Sequence, residues 1–152
     1  MKEYADPRMH TAEHLLNRTV ADLLGCGRAF SSHIERKKSK CDYRFGRDLT
    51  PEERAEIERR VNAAIAADLP VSSELVARAE AERTLDLARL PEDAAGDPLR
   101  VVRIGNYDAC ACIGVHAAST AELGTFRIVS TGWADGVLRV RYRLDAAPGK
   151  TL

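Results

Sequence analysis

The first hydrophobic pattern of the chain has the period of an α-helix. Asp6-Pro7 is a typical helix start, with Asp as the N-cap and Pro at the first helical position. Apolar side chains then recur three and four residues apart, at Met9, Ala12, Leu15, Leu16, Val20, Leu23 and Leu24. Because Gly25 follows as a stop signal, the pattern predicts a helix over residues 7–24.

A second helical pattern begins at Thr50-Pro51-Glu52-Glu53, which combines a capping box with Pro in the first turn. The apolar positions that follow keep helical spacing up to Pro70: Ile57, Val61, Ala64, Ile65 and Leu69. This pattern predicts a helix over 51–68. A more polar helix is predicted over 77–87, and a loop over 90–98.

Several short segments are β-branched or alternate between apolar and polar residues, which is typical of strands. They are residues 29–34, 40–45, 71–76, 99–104, 109–113, 125–131 and 137–144. The charged stretch 35–40 predicts a turn between the first two strands. Ala134-Asp135-Gly136 has the residues of a tight hairpin between the last two.

Taken together, the elements predict a single α+β domain over residues 1–152. We expect a mainly antiparallel sheet with helices packed on one side. A length of 152 residues fits one domain, and 45% hydrophobic and 30% charged residues are typical of a globular protein.

The sequence also predicts where in the cell the chain is located. No apolar run is long enough to cross a membrane, and the start of the chain lacks the apolar region of a secretory signal. A cytoplasmic location and no membrane partner are therefore expected. In that compartment the cysteines at 26, 41, 110 and 112 are interpreted as thiols or metal ligands rather than disulfides.

Charge is balanced, with 23 Lys and Arg residues against 23 Asp and Glu residues. This balance argues against a strongly basic nucleic-acid binder, although a local basic surface remains compatible with it. The segment 35–40 (ERKKSK) is the best local candidate. A solvated loop is the alternative interpretation of the same run.

Three of the four histidines fall into a pattern that metal sites share. His10 and His14 are four residues apart on the first helix, so both imidazoles lie on one face. Cys112 and His116 are four apart near a predicted strand end, and imidazole and thiolate are the ligands of tetrahedral zinc. The pattern alone also allows a hydrogen-bonded surface His pair and a buried Cys112. Cys110 is an alternative ligand.

The residues around these histidines resemble a known family. Residues 10–16 (HTAEHLL) are similar to the first motif, His-Thr-Ala-x-His-Leu-Leu, of the editing domains of alanyl- and threonyl-tRNA synthetases. Residues 112–116 (CIGVH) are similar to the second motif, Cys-x-x-x-His. Residues 39–45 and 121–128 also resemble family stretches in the same order. The chain most resembles the free-standing alanyl-tRNA editing proteins, the AlaX family.

The resemblance implies a zinc-dependent hydrolase that removes serine or glycine from mischarged alanine tRNA, acting in trans. It implies zinc held by His10, His14, Cys112 and His116, with His10, His14 and Thr11 as the catalytic set. Thr11 would also lie near the substrate amino acid. Further substrate-binding candidates are His33, Asp42 and Gly114.

RNA would be contacted at the single-stranded acceptor end, by stacking and phosphate contacts. The basic residues expected to supply the charge are Lys37, Lys38, Lys40, Arg44 and Arg47. Glu13 is interpreted as a solvated helix residue rather than a general base.

The second motif departs from the family's usual Cys-Gly-Gly-Thr-His. Ile113 adds bulk where Gly leaves room, and Val115 lacks the Thr hydroxyl. The departure changes residues that are expected beside the substrate, and two other functions are alternatives. One is a non-catalytic zinc module that contacts tRNA, and the other is a metal-dependent hydrolase of small esters or amides.

Overall fold

A computed structural model describes residues 6–85, 87 and 96–146 of the chain. The elements, in chain order, are helix α1 (Pro7–Leu24), strands β1 (Ser31–His33) and β2 (Ser39–Arg44), helix α2 (Pro51–Ala66), strand β3 (Val71–Val76), helix α3 (Arg78–Thr84), strands β4 (Leu99–Ile104) and β5 (Asp108–Ala111), a 3₁₀ helix (Thr120–Leu123), and strands β6 (Thr125–Ala134) and β7 (Val137–Asp145). The α+β class is confirmed.

The strands form two antiparallel sheets where the sequence predicted one. Strand order is β1-β2-β7-β6 in the four-stranded sheet and β3-β4-β5 in the three-stranded sheet. Consecutive strands β3, β4 and β5 pair with each other, whereas β2 pairs with the distant β7. Hydrophobic alternation identifies the buried face of a strand but not its partner, so the division could not be predicted from pattern.

Helix α1 begins and ends where its capping residues predict. The Asp6 carboxylate accepts from the Arg8 N–H, and Gly25 adopts the left-handed conformation (φ 70°) that ends the helix. Its apolar stripe is buried against α2 and one face of the four-stranded sheet. The Tyr142 hydroxyl donates to the Met9 carbonyl at 3.1 Å, which fixes the first turn of α1 over β7.

Helix α2 carries the predicted capping box, in which Thr50 and Glu53 exchange side-chain-to-backbone bonds of 3.1 and 2.9 Å. The β6–β7 hairpin turns at Asp135 and Gly136, both with positive φ, as a two-residue primed turn requires. Both sequence predictions are confirmed.

Other boundaries shift by a few residues. Strand β1 is shorter than the predicted 29–34, and α2 and α3 end two and three residues early. Strand β5 ends at Ala111, two residues before its predicted end. Most of the predicted loop 90–98 lies outside the described residues. Among the described helices, none is long and apolar enough to span a membrane.

Candidate metal centre

Four side chains from two distant segments converge at the N-terminal half of α1. His10 and His14 come from the helix, and Cys112 and His116 come from the segment that follows β5. Their ligand atoms all lie within 4.8 Å of one another. The structure thus brings together the four residues that the sequence singled out. Cys110, the alternative ligand, lies outside this group.

The separations of the donor atoms fit a tetrahedral ion. The Cys112 sulfur is 3.4 Å from His10 Nε2 and 3.7 Å from His116 Nε2. Zn–N bonds of about 2.1 Å and Zn–S bonds of about 2.3 Å place tetrahedral donors roughly 3.3–3.7 Å apart. The donor set is three imidazoles and one thiol, so both geometry and chemistry fit zinc.

The surroundings of Cys112 favour ionisation of its thiol. Burial opposes ionisation, but contacts with the imidazoles of His10, His116 and His14 outweigh it and lower the pKa of Cys112 to about 3. The Gly114 N–H also points at the sulfur, at 3.4 Å. Since the thiolate is the form that ligates metals, these contacts favour metal binding.

Backbone and hydroxyl groups orient two of the imidazoles. His10 Nδ1 lies 3.1 Å from the Val115 carbonyl, which can only accept, so Nδ1 donates and Nε2 keeps its lone pair. His116 Nδ1 lies 3.0 Å from the Thr11 hydroxyl oxygen. In both residues Nε2 is the nitrogen that faces the centre, and the contact on Nδ1 sets the ring orientation.

The Thr11 hydroxyl connects helix α1 to the segment that carries the second motif. It is fully buried, and its hydroxyl donates to the Pro7 carbonyl at 3.3 Å and accepts from the Ala117 N–H at 3.0 Å. Together with His116 Nδ1, the Thr11 hydroxyl therefore has three hydrogen-bonding partners. The structure therefore places Thr11 behind the His116 ring, where its hydroxyl connects α1 to the second motif.

His14 faces a buried carboxylate. Its Nδ1 lies 3.4 Å from Asp108 Oδ2, although the two groups are not aligned as a hydrogen bond. Burial opposes protonation of His14, but Asp108 and Cys112 raise the pKa of His14 to about 10. A carboxylate behind a ligating histidine orients the ring and increases its basicity.

Two arginines hold Asp108 in place. Arg28 donates two hydrogen bonds to its carboxylate, at 2.8 and 3.2 Å, and Arg18 donates one at 3.1 Å. The Asp108 side chain is fully buried, and burial raises its pKa, but His14 and Arg28 hold that pKa well below its usual range. The sequence analysis missed Asp108. Asp108 stands two residues before Cys110 and four before Cys112, and this alternate spacing could have pointed to it.

Glu13 lies at the centre and not in solvent. Its Oε1 is 3.7 Å from His10 Nε2 and 3.9 Å from His14 Nε2, and its side chain is only 13% exposed. The interpretation of Glu13 as a solvated residue was wrong. A residue three positions after His10 shares its helix face, so Glu13 is directed towards the same centre.

The centre is accessible from one side. His10 and His14 are 2% exposed, whereas Cys112 and His116 are half-buried. On this side, Val115 and His116 border a cavity of about 240 Å³. Arg100 also lines it.

Arg100 fixes the loop that carries the second motif. Its guanidinium donates to the carbonyls of Cys112 and Gly114, at 2.9 and 3.0 Å. Gly114, one of the predicted substrate-binding residues, therefore lies next to the centre, with its N–H on the Cys112 sulfur.

The structure does not bring the other two substrate candidates into the metal centre. His33 is exposed on β1, with its Nε2 3.9 Å from Glu35. Asp42 lies in the middle of β2, where Arg139 bonds both of its oxygens at 2.7 and 2.9 Å. That guanidinium holds the pKa of Asp42 below its usual value, although burial opposes the effect.

The basic residues predicted to contact RNA have different surroundings. Lys37, Lys38 and Arg44 are exposed, and Lys40 is half-buried on β2. Arg47 instead donates two bonds to Glu53, at 2.7 and 2.9 Å. Its charge is therefore neutralised within the domain, so Arg47 is the least suited of the five to bind a phosphate.

Fold and site together define an α+β domain with a largely buried cluster of three imidazoles and one thiol that could hold a metal ion. Residues 99–141, which include Cys112 and His116, match the family described as the threonyl and alanyl tRNA synthetase second additional domain.

Longer matches come from curated relatives, each named alanine–tRNA ligase. The chain is 35% identical over 144 residues to the protein of Neisseria gonorrhoeae, and 38% identical over 142 residues to that of Bacillus subtilis. These matches cover 90% and 93% of the chain, and each spans 16% of the relative's length. The chain is therefore similar, over most of its length, to about one sixth of these alanine–tRNA ligases.

Proposed function

We propose that this chain hydrolyses the ester bond of mischarged tRNA at a zinc centre, with seryl- or glycyl-tRNA(Ala) as substrate. The observation that carries the proposal is the convergence of His10, His14, Cys112 and His116, whose ligand atoms lie within 4.8 Å of one another. Similarity to alanine–tRNA ligases over nine tenths of the chain supports a tRNA substrate.

Zinc, when bound, would supply a positive charge that polarises the ester carbonyl or lowers the pKa of the attacking water. The ligating residues are oriented by groups of the chain itself. Val115 orients His10 through its carbonyl, so replacement of the family's usual Thr side chain leaves that bond intact. Thr11 orients His116, and Asp108 faces His14.

Glu13 is the residue placed to recognise the aminoacyl group. An aminoacyl ester carries an α-ammonium group next to the carbonyl under attack, and a largely buried carboxylate favours such a cation. Glu13 lies within 4 Å of two ligating nitrogens. We therefore assign to it the binding of the α-ammonium, which orients the ester at the centre.

Access from the side of Cys112 and His116 supports entry of the acceptor end there. Val115 presents an apolar side chain to the cavity beside His116 where the family's usual residue offers a hydroxyl. Recognition of serine would then rest on groups other than this side chain. Ser72 and Ser73 of β3 line the same cavity.

The proposal is tested by deacylation in trans, with the zinc-loaded chain and alanine tRNA charged with serine, glycine or alanine. We expect release of serine or glycine, and loss of that activity in His10→Ala. Cys112→Ala should lose the activity as well, and Cys26→Ala is the matched control, because it removes a half-buried thiol outside the centre.

Two outcomes would support the other functions. A zinc-loaded chain that cleaves no charged tRNA would point to a non-catalytic module. Equal turnover of free aminoacyl esters and charged tRNA would point to a hydrolase of small esters.

A further inference from the structure

The two faces of the four-stranded sheet differ in chemistry. Along β7, Leu138, Val140 and Tyr142 are buried in the core. The residues between them are directed to the opposite side of the sheet, because neighbouring strand residues alternate in direction. They are Arg139, Arg141 and Arg143. Helices α1 and α2 pack against the side that carries Leu138, Val140 and Tyr142. We call the side that carries the arginines, away from the helices, the outer face.

The neighbouring strands add cations to the outer face. Lys40 of β2 lies directly opposite Arg141, and Arg127 of β6 lies directly opposite Arg143. Like charges at directly opposed positions of an antiparallel pair destabilise it. The sheet thus carries two repulsive cross-strand pairs, although the chain as a whole has no net charge.

Carboxylates neutralise only part of this charge. Asp42 is bonded to Arg139, and Asp145 pairs with Arg127 and Arg143 at 3.7 and 3.0 Å. In the part of the chain that the structure describes, the ion pairs of the outer face do not include Lys40 or Arg141. Among the described residues, no carboxylate lies within ion-pair distance of these two juxtaposed charges.

A groove exposes these two charges. It has a volume of about 230 Å³, and its lining includes Lys38, Ser39, Lys40 and Arg141. One carboxylate, that of Glu35, also lines it. A groove of this size with three cations is suited to phosphate groups, which carry negative charge and accept hydrogen bonds.

We propose that the outer face binds the phosphate backbone of RNA, with Lys40 and Arg141 as its central contacts. The identification of that RNA as tRNA rests on the proposed function. Cations that repel each other across a sheet are stabilised when a polyanion lies over both. Arg141 was absent from the residues predicted to contact RNA, and pairing with Lys40 identifies it.

The test uses an uncharged alanine tRNA transcript, whose binding to the zinc-loaded chain is followed by fluorescence anisotropy at several salt concentrations. Arg141→Gln and Lys40→Gln should each weaken binding and reduce the slope of log K against log salt by about one. Arg59→Gln is the control, because Arg59 is an exposed cation on α2 paired with Glu56. Melting temperatures of the two outer-face variants should equal or exceed that of the wild type, since repulsion is removed.

Unchanged slopes in both outer-face variants, or no binding of tRNA by the wild type, would overturn the proposal. Binding of an acidic protein in place of tRNA would also overturn it. If the variants show unchanged salt slopes but the chain still deacylates charged tRNA, RNA binding by the outer face is refuted and the proposed enzyme function stands. If the outer face binds tRNA but the chain deacylates no charged tRNA, the RNA-binding surface is supported and the proposed enzyme function is refuted.

Discussion

Asp108 links the metal centre to two arginines, and the substitution Asp108→Asn tests that link. The amide keeps the shape of the side chain and removes its charge. His14 then loses the carboxylate 3.4 Å from its Nδ1. Loss of such a partner lowers metal affinity about 10- to 100-fold, or about 1.4–2.7 kcal/mol. We therefore expect zinc affinity to fall within this range.

The same substitution should also destabilise the metal-free chain. Removal of one partner from a buried ion pair costs about 3–5 kcal/mol when the other charge stays buried. Here the side chains of Arg28 and Arg18 are 14% and 34% exposed, so solvent screens part of the uncompensated charge. The amide oxygen also retains one acceptor. The loss should therefore be about 3 kcal/mol or less.

Two assays separate these effects. Competition with a chromophoric chelator measures zinc affinity, and urea unfolding of the metal-free chain measures stability. Asp22→Asn is the control, because Asp22 pairs with Arg18 at 3.5 Å on the same helix but is 57% exposed. It should cost less than about 1 kcal/mol and leave zinc affinity unchanged. A folded Asp108→Asn variant that binds zinc as tightly as the wild type would refute the reasoning.

Three further predictions concern the centre. Thr11→Val should lower stability in urea unfolding by about 1–3 kcal/mol, because the buried Ala117 N–H loses its acceptor, whereas Thr11→Ser should retain stability. Glu13→Gln should lower kcat/KM for seryl-tRNA(Ala) by about 10- to 150-fold, the value of a charged hydrogen bond, with zinc content unchanged. Chelation should lower the melting temperature, and zinc at 100 times its Kd should restore about 2.7 kcal/mol.

Each of these predictions has a result that would contradict it. Equal stability of Thr11→Val and Thr11→Ser would show that the hydrogen bonds of the Thr11 hydroxyl do not stabilise the fold. For Glu13, an N-acetylated seryl-tRNA lacks the ammonium, so the wild type and Glu13→Gln should cleave it at the same rate; a persistent difference would rule out ammonium binding. A melting temperature indifferent to both chelator and zinc would show that the metal does not stabilise the fold.

The sequence predicted most of the centre because each half of it is local. His10 and His14 lie on one face by helix periodicity, and Cys112 and His116 lie four apart beside a strand end. Asp108 and Glu13 were missed because their roles depend on burial. A carboxylate near a metal site and a carboxylate in solvent look the same in sequence until the packing of β5 against α1 is known.

Charged surface residues were predicted less well than the centre. Arg47 looked suitable for RNA because it lies in a basic region, but Glu53, six residues later, neutralises it. Arg141 had no local signal, because its significance comes from pairing with Lys40 across two strands almost a hundred residues apart along the chain. Strand register, which hydrophobic alternation leaves undetermined, decides which charges meet.

X-ray absorption at the zinc K-edge of the purified wild-type chain tests the central claim most directly. The account predicts one zinc per chain with a single sulfur neighbour at about 2.3 Å and nitrogen neighbours at about 2.0–2.1 Å. The sulfur neighbour should be absent in Cys112→Ser and present in Cys110→Ser. A chain that takes up no zinc, or zinc without a sulfur neighbour, would contradict the account.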